Sequence, residues 1–203
     1  SENGASGYNN VALGYKSMYF LTTGDSNVAV GTTSLQNITS GTNNVAIGSG
    51  AGLGNAEQSE NVYIGYLAGY RNTKGTGVVH IGADAGSYTT GSRNVFIGQR
   101  AGQGGTGDST PYASGQDNVA IGYNALYTNS SLSYQVAIGR NALYYSATSG
   151  VNVAIGYQAM EQATSGHESV AVGYQSGMRI TTAGNNTLVG YLSGDHITTG
   201  SNN

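Results

Sequence analysis

The sequence contains no cysteine and no tryptophan, and among 203 residues it has a single proline, Pro111. Without thiols there are neither disulfides nor thiolate metal sites, and cysteine usage says nothing about the compartment. Charge is scarce as well: ten acidic and seven basic side chains give a net charge of −3 and are scattered singly. With no run of Lys or Arg to track phosphates, nucleic acid and anionic membranes are not expected partners. No stretch approaches the roughly 20 apolar residues of a membrane span, so no membrane insertion is expected of this segment. Residues 1–7 show neither the basic start nor the apolar core of an export signal.

Glycine and tyrosine are abundant instead, at 34 and 16 residues. The glycines expose a repeat. The phrase Asn-Val-Ala-Ile-Gly or a near relative occurs eleven times, ending at Gly14, Gly31, Gly48, Gly65, Gly82, Gly98, Gly122, Gly139, Gly156, Gly173 and Gly190. Successive glycines are 17 residues apart except for one interval of 16 (Gly82 to Gly98) and one of 24 (Gly98 to Gly122). Units this short cannot each bury an apolar face, so they must stack, and the fold class expected is an all-β parallel β-solenoid. Residues 1–203 form one solenoid domain of about eleven coils. At about 4.8 Å per coil it would be a rod roughly 50 Å long. The final Gly200-Ser201-Asn202-Asn203 carries the phase of a twelfth repeat, which suggests either a longer chain or completion by a neighbouring subunit.

Each repeat position has its own rule, counted from the motif glycine as zero. Position −3 is Val in ten copies and Thr187 in the other, and −1 is always Leu, Val or Ile. Two branched aliphatics one residue apart share a strand face, and they are read here as the interior. Position −4 is Asn in eight copies, a pattern suited to an amide ladder that also satisfies the backbone at a corner. Position +3 is always Ala or Ser, so the space there is small. A Gly at −7 or −6, as in Thr22-Thr23-Gly24, marks the second turn.

Position −2 then points outward, yet it is Ala seven times and otherwise Tyr63, His80, Phe96 and Leu188. An outward face without charge is expected to be covered by another chain. Positions −2 and +4 also trade volume. Tyr63 is paired with Gly69, His80 with Gly86, Phe96 with Gly102 and Leu188 with Gly194, whereas Met18, Leu35, Leu126, Leu143 and Met160 at +4 accompany Ala at −2. The two positions are therefore expected to share one packed space. Ala46 with Gly52 and Ala171 with Gly177 depart from the rule.

The phrases Asn44-Val45-Ala46-Ile47-Gly48, Asn118-Val119-Ala120-Ile121-Gly122, Asn152-Val153-Ala154-Ile155-Gly156 and Ser169-Val170-Ala171-Val172-Gly173 resemble the head repeats of YadA-type trimeric autotransporter adhesins. They are also similar to repeat regions of phage tail fibres. The resemblance implies a left-handed β-roll with three chains side by side, serving as a rigid surface-exposed adhesive or fibre segment.

Chemistry-bearing patterns are weak beside this. Gly102-Gln103-Gly104-Gly105-Thr106-Gly107 matches G-x-G-x-x-G, but no helical pattern follows it, as a pyrophosphate cradle requires. His80, His167 and His196 sit at different phases and have no acidic partner at a matching phase, so neither a metal site nor a catalytic dyad is expected. His80 at −2 is read as interface packing. The aspartates share no phase, unlike those of calcium-binding solenoids. Tyrosine fills +1 in six copies (Tyr15, Tyr66, Tyr123, Tyr157, Tyr174 and Tyr191), either as a ring ladder between coils or as a row for stacking on sugars. Paired threonines resemble ice-binding arrays but are interrupted.

One segment breaks the pattern. About seven extra residues between Gly98 and Gly122, within a loop insertion at about 103–116, adjoin the coils with large −2 residues. Tyr63, His80, Phe96, Pro111 and Tyr112 are therefore the candidate interaction patch for another subunit, a host-surface receptor or a glycan. The function expected is a non-enzymatic, cofactor-free extracellular, cell-surface or virion fibre segment. It would be homotrimeric or joined head to tail as a filament. The alternative is a carbohydrate- or ice-binding solenoid module acting as a single chain.

Overall fold

The computed structural model describes residues 7–105, 113–128, 131–146, 150–164 and 168–203. Among them are eleven three-residue strands, one per repeat: β1 Val11–Leu13, β2 Val28–Val30, β3 Val45–Ile47, β4 Val62–Ile64, β5 Val79–Ile81, β6 Val95–Ile97, β7 Val119–Ile121, β8 Val136–Ile138, β9 Val153–Ile155, β10 Val170–Val172 and β11 Thr187–Val189. They form one parallel sheet in sequence order, each strand paired with the next at identical repeat positions, as in Val28↔Val45 and Ala29↔Ala46. The chain is a parallel β-solenoid, as its periodicity requires.

Hydrogen bonds between coils run along both walls. On the strand wall, the Val28 N–H donates to Asn44 O (2.8 Å) and the Gly31 N–H to Leu13 O (2.7 Å). On the opposite wall, Met18 donates to Ser34 O (3.1 Å) and Leu35 to Ala51 O (3.0 Å). Such bonding brings equivalent backbones so close that the motif glycines form a column in which no Cβ fits. A Cβ on Gly14, whose φ is 135°, would lie 2.5 Å from Gly31 O.

The asparagine ladder forms at −4 and its main partner is the backbone. Asn27 Oδ1 accepts the Asn44 N–H of the next coil (2.9 Å), while Asn27 Nδ2 donates to Gly41 O at the next turn (2.8 Å). Amide-to-amide bonds also link Asn10, Asn27 and Asn44 (3.1 and 3.0 Å). These amides are buried, so each contact answers a backbone group that water cannot reach. At Val78 the ladder lacks its side-chain rung, and Asn61 Nδ2 below it has no partner among the described residues.

The small residues at +3 are buried, and where they are serine they bond across the coil. Ser34 Oγ donates to Ala46 O (3.0 Å) and Ser176 Oγ to Leu188 O (3.1 Å), both carbonyls at −2 of the next repeat.

The strand faces are the reverse of the expectation. Position −2 points into the solenoid and is 0% exposed at Ala29, Ala46, Tyr63, His80 and Phe96, while −3 and −1 face outward and are half-buried or exposed. The two-residue period holds, but its phase is inverted, so every side chain of each strand lies on the opposite face from the one assigned. The physical reason is width. The interior is a thin slot shared by −2, +3, +4 and +7, and its residues are chosen by size before hydrophobicity.

That slot explains the traded volumes. A Cβ on Gly102 would lie 2.6 Å from three carbons of the Phe96 ring, and one on Gly69 would collide with the ring of Tyr63. The exceptions are resolved by neighbouring coils. A Cβ on Gly52 would meet Tyr63 Cδ2 at 2.5 Å, and one on Gly177 would meet Leu188 Cδ1 at 3.0 Å. Tyr63 thus fills space in its own coil and in the preceding one. Its hydroxyl accepts from Asn72 Nδ2 (2.7 Å), the +7 residue of its coil.

The turns hold side chains in the left-handed region at three further positions. Glu60 (φ 63°) and Arg93 (φ 57°) lie at −5, Gln158 (φ 53°) at +2, and Leu35 (φ 46°) and Met160 (φ 48°) at +4. Bulky residues adopt this region at a cost of roughly 1–2 kcal/mol each. Closure of the coil and its hydrogen bonds to both neighbours hold them there.

The insertion is narrower than the sequence implies. Gln103 to Gly105 occupy +5 to +7 of their coil, and Ala113 is back in the stack, bridging Thr89 in parallel and accepting from the Thr90 N–H (2.8 Å).

Two outcomes test this packing. Phe96→Ala should cost about 3–5 kcal/mol through the cavity it leaves. Adding Gly102→Leu, which rebuilds the small-large arrangement of Ala120 and Leu126, should recover a large part of that loss. A urea-unfolding double-mutant cycle reads the coupling. Separately, Glu60→Gly should stabilise the chain by up to about 1 kcal/mol, because Gly77 occupies the same repeat position at φ 65°. Chemical denaturation of the single variant checks this.

Candidate interaction surface

Of the five residues proposed as an interaction patch, three are interior. Tyr63, His80 and Phe96 are fully buried and follow one another inside the solenoid, Tyr63 tilted by 59° to His80 with centroids 5.8 Å apart and His80 stacked on Phe96 at 5.0 Å and 12°. They cannot form a surface patch, and His80 is core rather than interface. The correction has the same cause as the inverted strand phase. Pro111 and Tyr112 lie outside the described residues, as does His167.

The interior stack has a chemical peculiarity. His80 Nδ1 and Nε2 are both buried without a hydrogen-bond partner among the described residues. Burial pushes the imidazole from its ordinary 6.5 down to about 3, so the ring is neutral and packs as an aromatic. Burial also raises the Tyr63 hydroxyl far above its ordinary range, against the smaller opposing effect of bonds to Asn72 and Asn55.

The accessible surface with a consistent chemistry is the outer face of the sheet. Positions −3 and −1 form two parallel columns of branched aliphatics along eleven strands, interrupted only by Thr187. Exposure reaches 66% at Leu13, 41% at Ile47 and 68% at Val189. Apolar side chains exposed in continuous columns are uncommon on a free protein surface. Its signal was present in the sequence as the Val-x-Ile pattern, but that pattern was assigned to the inside.

The two-residue period places +1 beside these columns. There the rings of Tyr157 and Tyr174 stack at 5.1 Å and 12°, and those of Tyr174 and Tyr191 at 5.3 Å and 16°. Arg140, in the same column, lies over both Tyr123 (5.5 Å) and Tyr157 (6.0 Å). A second stack at +5 joins Tyr127 and Tyr144 at 4.9 Å and 9°, with Tyr145 edge-on to Tyr144. Burial first, then the neighbouring phenols, push the Tyr144 hydroxyl upward. The ladder reading therefore holds for Tyr157, Tyr174 and Tyr191, three of the six +1 tyrosines, and among the described residues no ring stacks on Tyr15, Tyr66 or Tyr123. Faces turned to each other are closed to sugars, and what remains toward solvent is ring edges and hydroxyls.

Charged groups add little. Arg93 donates to both carboxylate oxygens of Asp117 (2.6 and 2.8 Å) at the −5 corner, and this guanidinium holds the exposed Asp117 carboxyl below its usual range. The exposed His196 places Nδ1 2.5 Å from Oδ1 of its half-buried sequence neighbour Asp195. Among the described residues no three His, Cys, Asp or Glu side chains are grouped to hold a metal ion. Packing accounts for the first two motif glycines of the G-x-G-x-x-G match, and the third, Gly107, lies outside the described residues. Gly102 makes room for Phe96, and a Cβ on Gly104 would lie 2.8 Å from Tyr88 O. No helix long and apolar enough to cross a membrane is present among the described residues.

With the fold and surface defined, the class is an all-β repeat protein, a parallel β-solenoid. Comparison with family models, curated proteins and solved structures returned no match for the chain.

The buried imidazole sets a pH dependence whose sign is fixed. An unfolded chain takes up a proton on His80 as pH falls through 6.5, whereas the folded chain does so only near 3, so stability is full above 6.5 and declines through that window. Each unit of pH should remove on the order of 1.4 kcal/mol. Hydrogen exchange at β5 should accelerate as pH falls from about 6.5 to about 4, after correction for intrinsic exchange rates. His80→Phe should abolish that acceleration.

Proposed function

We propose that this chain is a non-enzymatic structural segment of an extracellular, cell-surface or virion fibre, in which copies of the chain pack side by side. The observation that carries the reading is the pair of outward Val and Ile columns, which have no charged member on any of the eleven strands. A second copy is the occupant that fits them best. It offers an apolar face of the same length and the same coil-to-coil spacing, so side chains of one copy can settle between those of the other along the whole rod. A peptide or globular partner would match a few coils only. Threefold association agrees with the resemblance to trimeric adhesin heads and tail-fibre repeats, and it would enclose three apolar faces around one axis.

In such an assembly the interior stack and the coil-to-coil hydrogen bonds supply stiffness, and side-by-side packing supplies thickness. The remaining surface displays turn residues and tyrosine edges at regular intervals, suited to multivalent contact with a receptor or glycan.

Sedimentation equilibrium of the purified chain should give three times the chain mass. Replacing Ile64 and Ile97 by Lys on the outer face should release monomers with unchanged far-UV circular dichroism, since a charge trapped in an apolar interface costs several kcal/mol, roughly 3–5 when unpaired. A wild-type chain that is monomeric at working concentration and binds glycans or ice in that state would instead establish the single-module alternative. Filaments in micrographs whose length is unaffected by the lysines would point to head-to-tail joining.

A further inference from the structure

We propose that the stacked tyrosines are a modification site, at which a one-electron oxidant links neighbouring coils through dityrosine bonds. The pairs are Tyr157 with Tyr174, Tyr174 with Tyr191, and Tyr127 with Tyr144. Their ring centroids are 4.9 to 5.3 Å apart, and their planes lie within 16° of parallel.

Three observations support this inference. The rings are held next to each other by the coil register, because Gln175 donates its N–H to Tyr157 O (2.8 Å) and Leu192 to Tyr174 O (2.9 Å). A radical formed on one ring therefore has its partner in place without chain diffusion, the situation in which effective concentration is greatest. The rings are also reachable, with Tyr174 44% and Tyr191 74% exposed. Finally, the sequence has no cysteine, so coils cannot be tied by disulfides. Tyrosine is the remaining side chain here that can form a carbon-carbon cross-link by oxidation.

The chemistry balances with an external oxidant of the haem peroxidase and hydrogen peroxide class. Each phenol gives one electron to the oxidant and its O–H proton to water, leaving two phenoxyl radicals. These couple between ring carbons ortho to the oxygens. Each coupled ring then loses the hydrogen on its new carbon-carbon bond as a proton while its oxygen takes one up, restoring the aromatic system. In total, two phenols become one biphenol with the loss of two electrons and two protons, and hydrogen peroxide is reduced to two waters.

Such a bond would close a loop of one repeat and tie a coil to its neighbour. In a stack whose coils contact only their neighbours, that opposes opening from either side. The inference does not depend on assembly of copies, because the coupled rings belong to one chain.

The chain also carries its own controls. Tyr15, Tyr66 and Tyr134 are exposed at 68%, 57% and 57%, and none has a ring stacked on it among the described residues. The purified full chain is treated with a haem peroxidase and hydrogen peroxide, and dityrosine is read by its fluorescence and by mass spectrometry of cross-linked peptides. The expected result is cross-linking at the three stacked pairs, within a chain of unchanged length, in at least several-fold excess over pairs involving Tyr15, Tyr66 or Tyr134. Tyr174→Phe should remove both +1 links and leave the Tyr127 to Tyr144 link, whereas Tyr66→Phe should change nothing. In denaturant the preference should vanish. Cross-links distributed evenly over all exposed tyrosines, or absent at the stacked pairs of the folded wild-type chain, would overturn the proposal whatever the variants do.

Discussion

The constraint on which everything else rests is hydrogen bonding between consecutive coils at one fixed register. Because Val28 lies on Val45 and Val45 on Val62, each side chain has as neighbours the residues at its own repeat position in the coils before and after. A residue type that tolerates its own kind therefore recurs. Glycine stacks on glycine where backbone meets backbone, asparagine on asparagine where an amide can answer both an N–H and a carbonyl, and tyrosine on tyrosine where flat rings can lie parallel. The repeat is the record of what can be stacked on itself.

A second constraint follows from how few residues make up a coil. The space shared by −2 and +4 accepts one large side chain, with Ala or Gly opposite it. Phe96 needs Gly102, and Leu126 needs Ala120. Branched aliphatics are carried on the outside, where strand geometry suits them and where they make an apolar surface the solenoid itself does not cover.

These constraints also explain what could be read from the residues alone. The solenoid, its coil count, the asparagine ladder, the small +3 position and the coupling of −2 to +4 were all legible, because each depends on identity at fixed spacing. The direction of each strand face was not. Hydrophobicity ranks Val and Ile above Ala, and in a thick core that ranking assigns the inside correctly; in a slot this narrow it points the wrong way. The same error moved Tyr63, His80 and Phe96 from the interior to a surface patch. Left-handed backbone at Glu60, Arg93 and Gln158 was equally hidden, since none of these is a turn residue. Glycine carried the signal only in Gly77 at −5 and only in Gly50 at +2, although at +4 it recurs in Gly52, Gly69, Gly86, Gly102, Gly177 and Gly194.

The uniform register has a consequence for how such a chain changes over generations. A gene that gains or loses one whole repeat in frame places every later residue on an equivalent neighbour, so nothing in the cross-section must adapt and the rod only lengthens or shortens. A gain of any other size leaves a surplus that the register cannot place, and the interval of 24 between Gly98 and Gly122 is the one such gain in this sequence. Length is therefore the property this architecture can vary most freely by recombination, and its cross-section the one it can vary least.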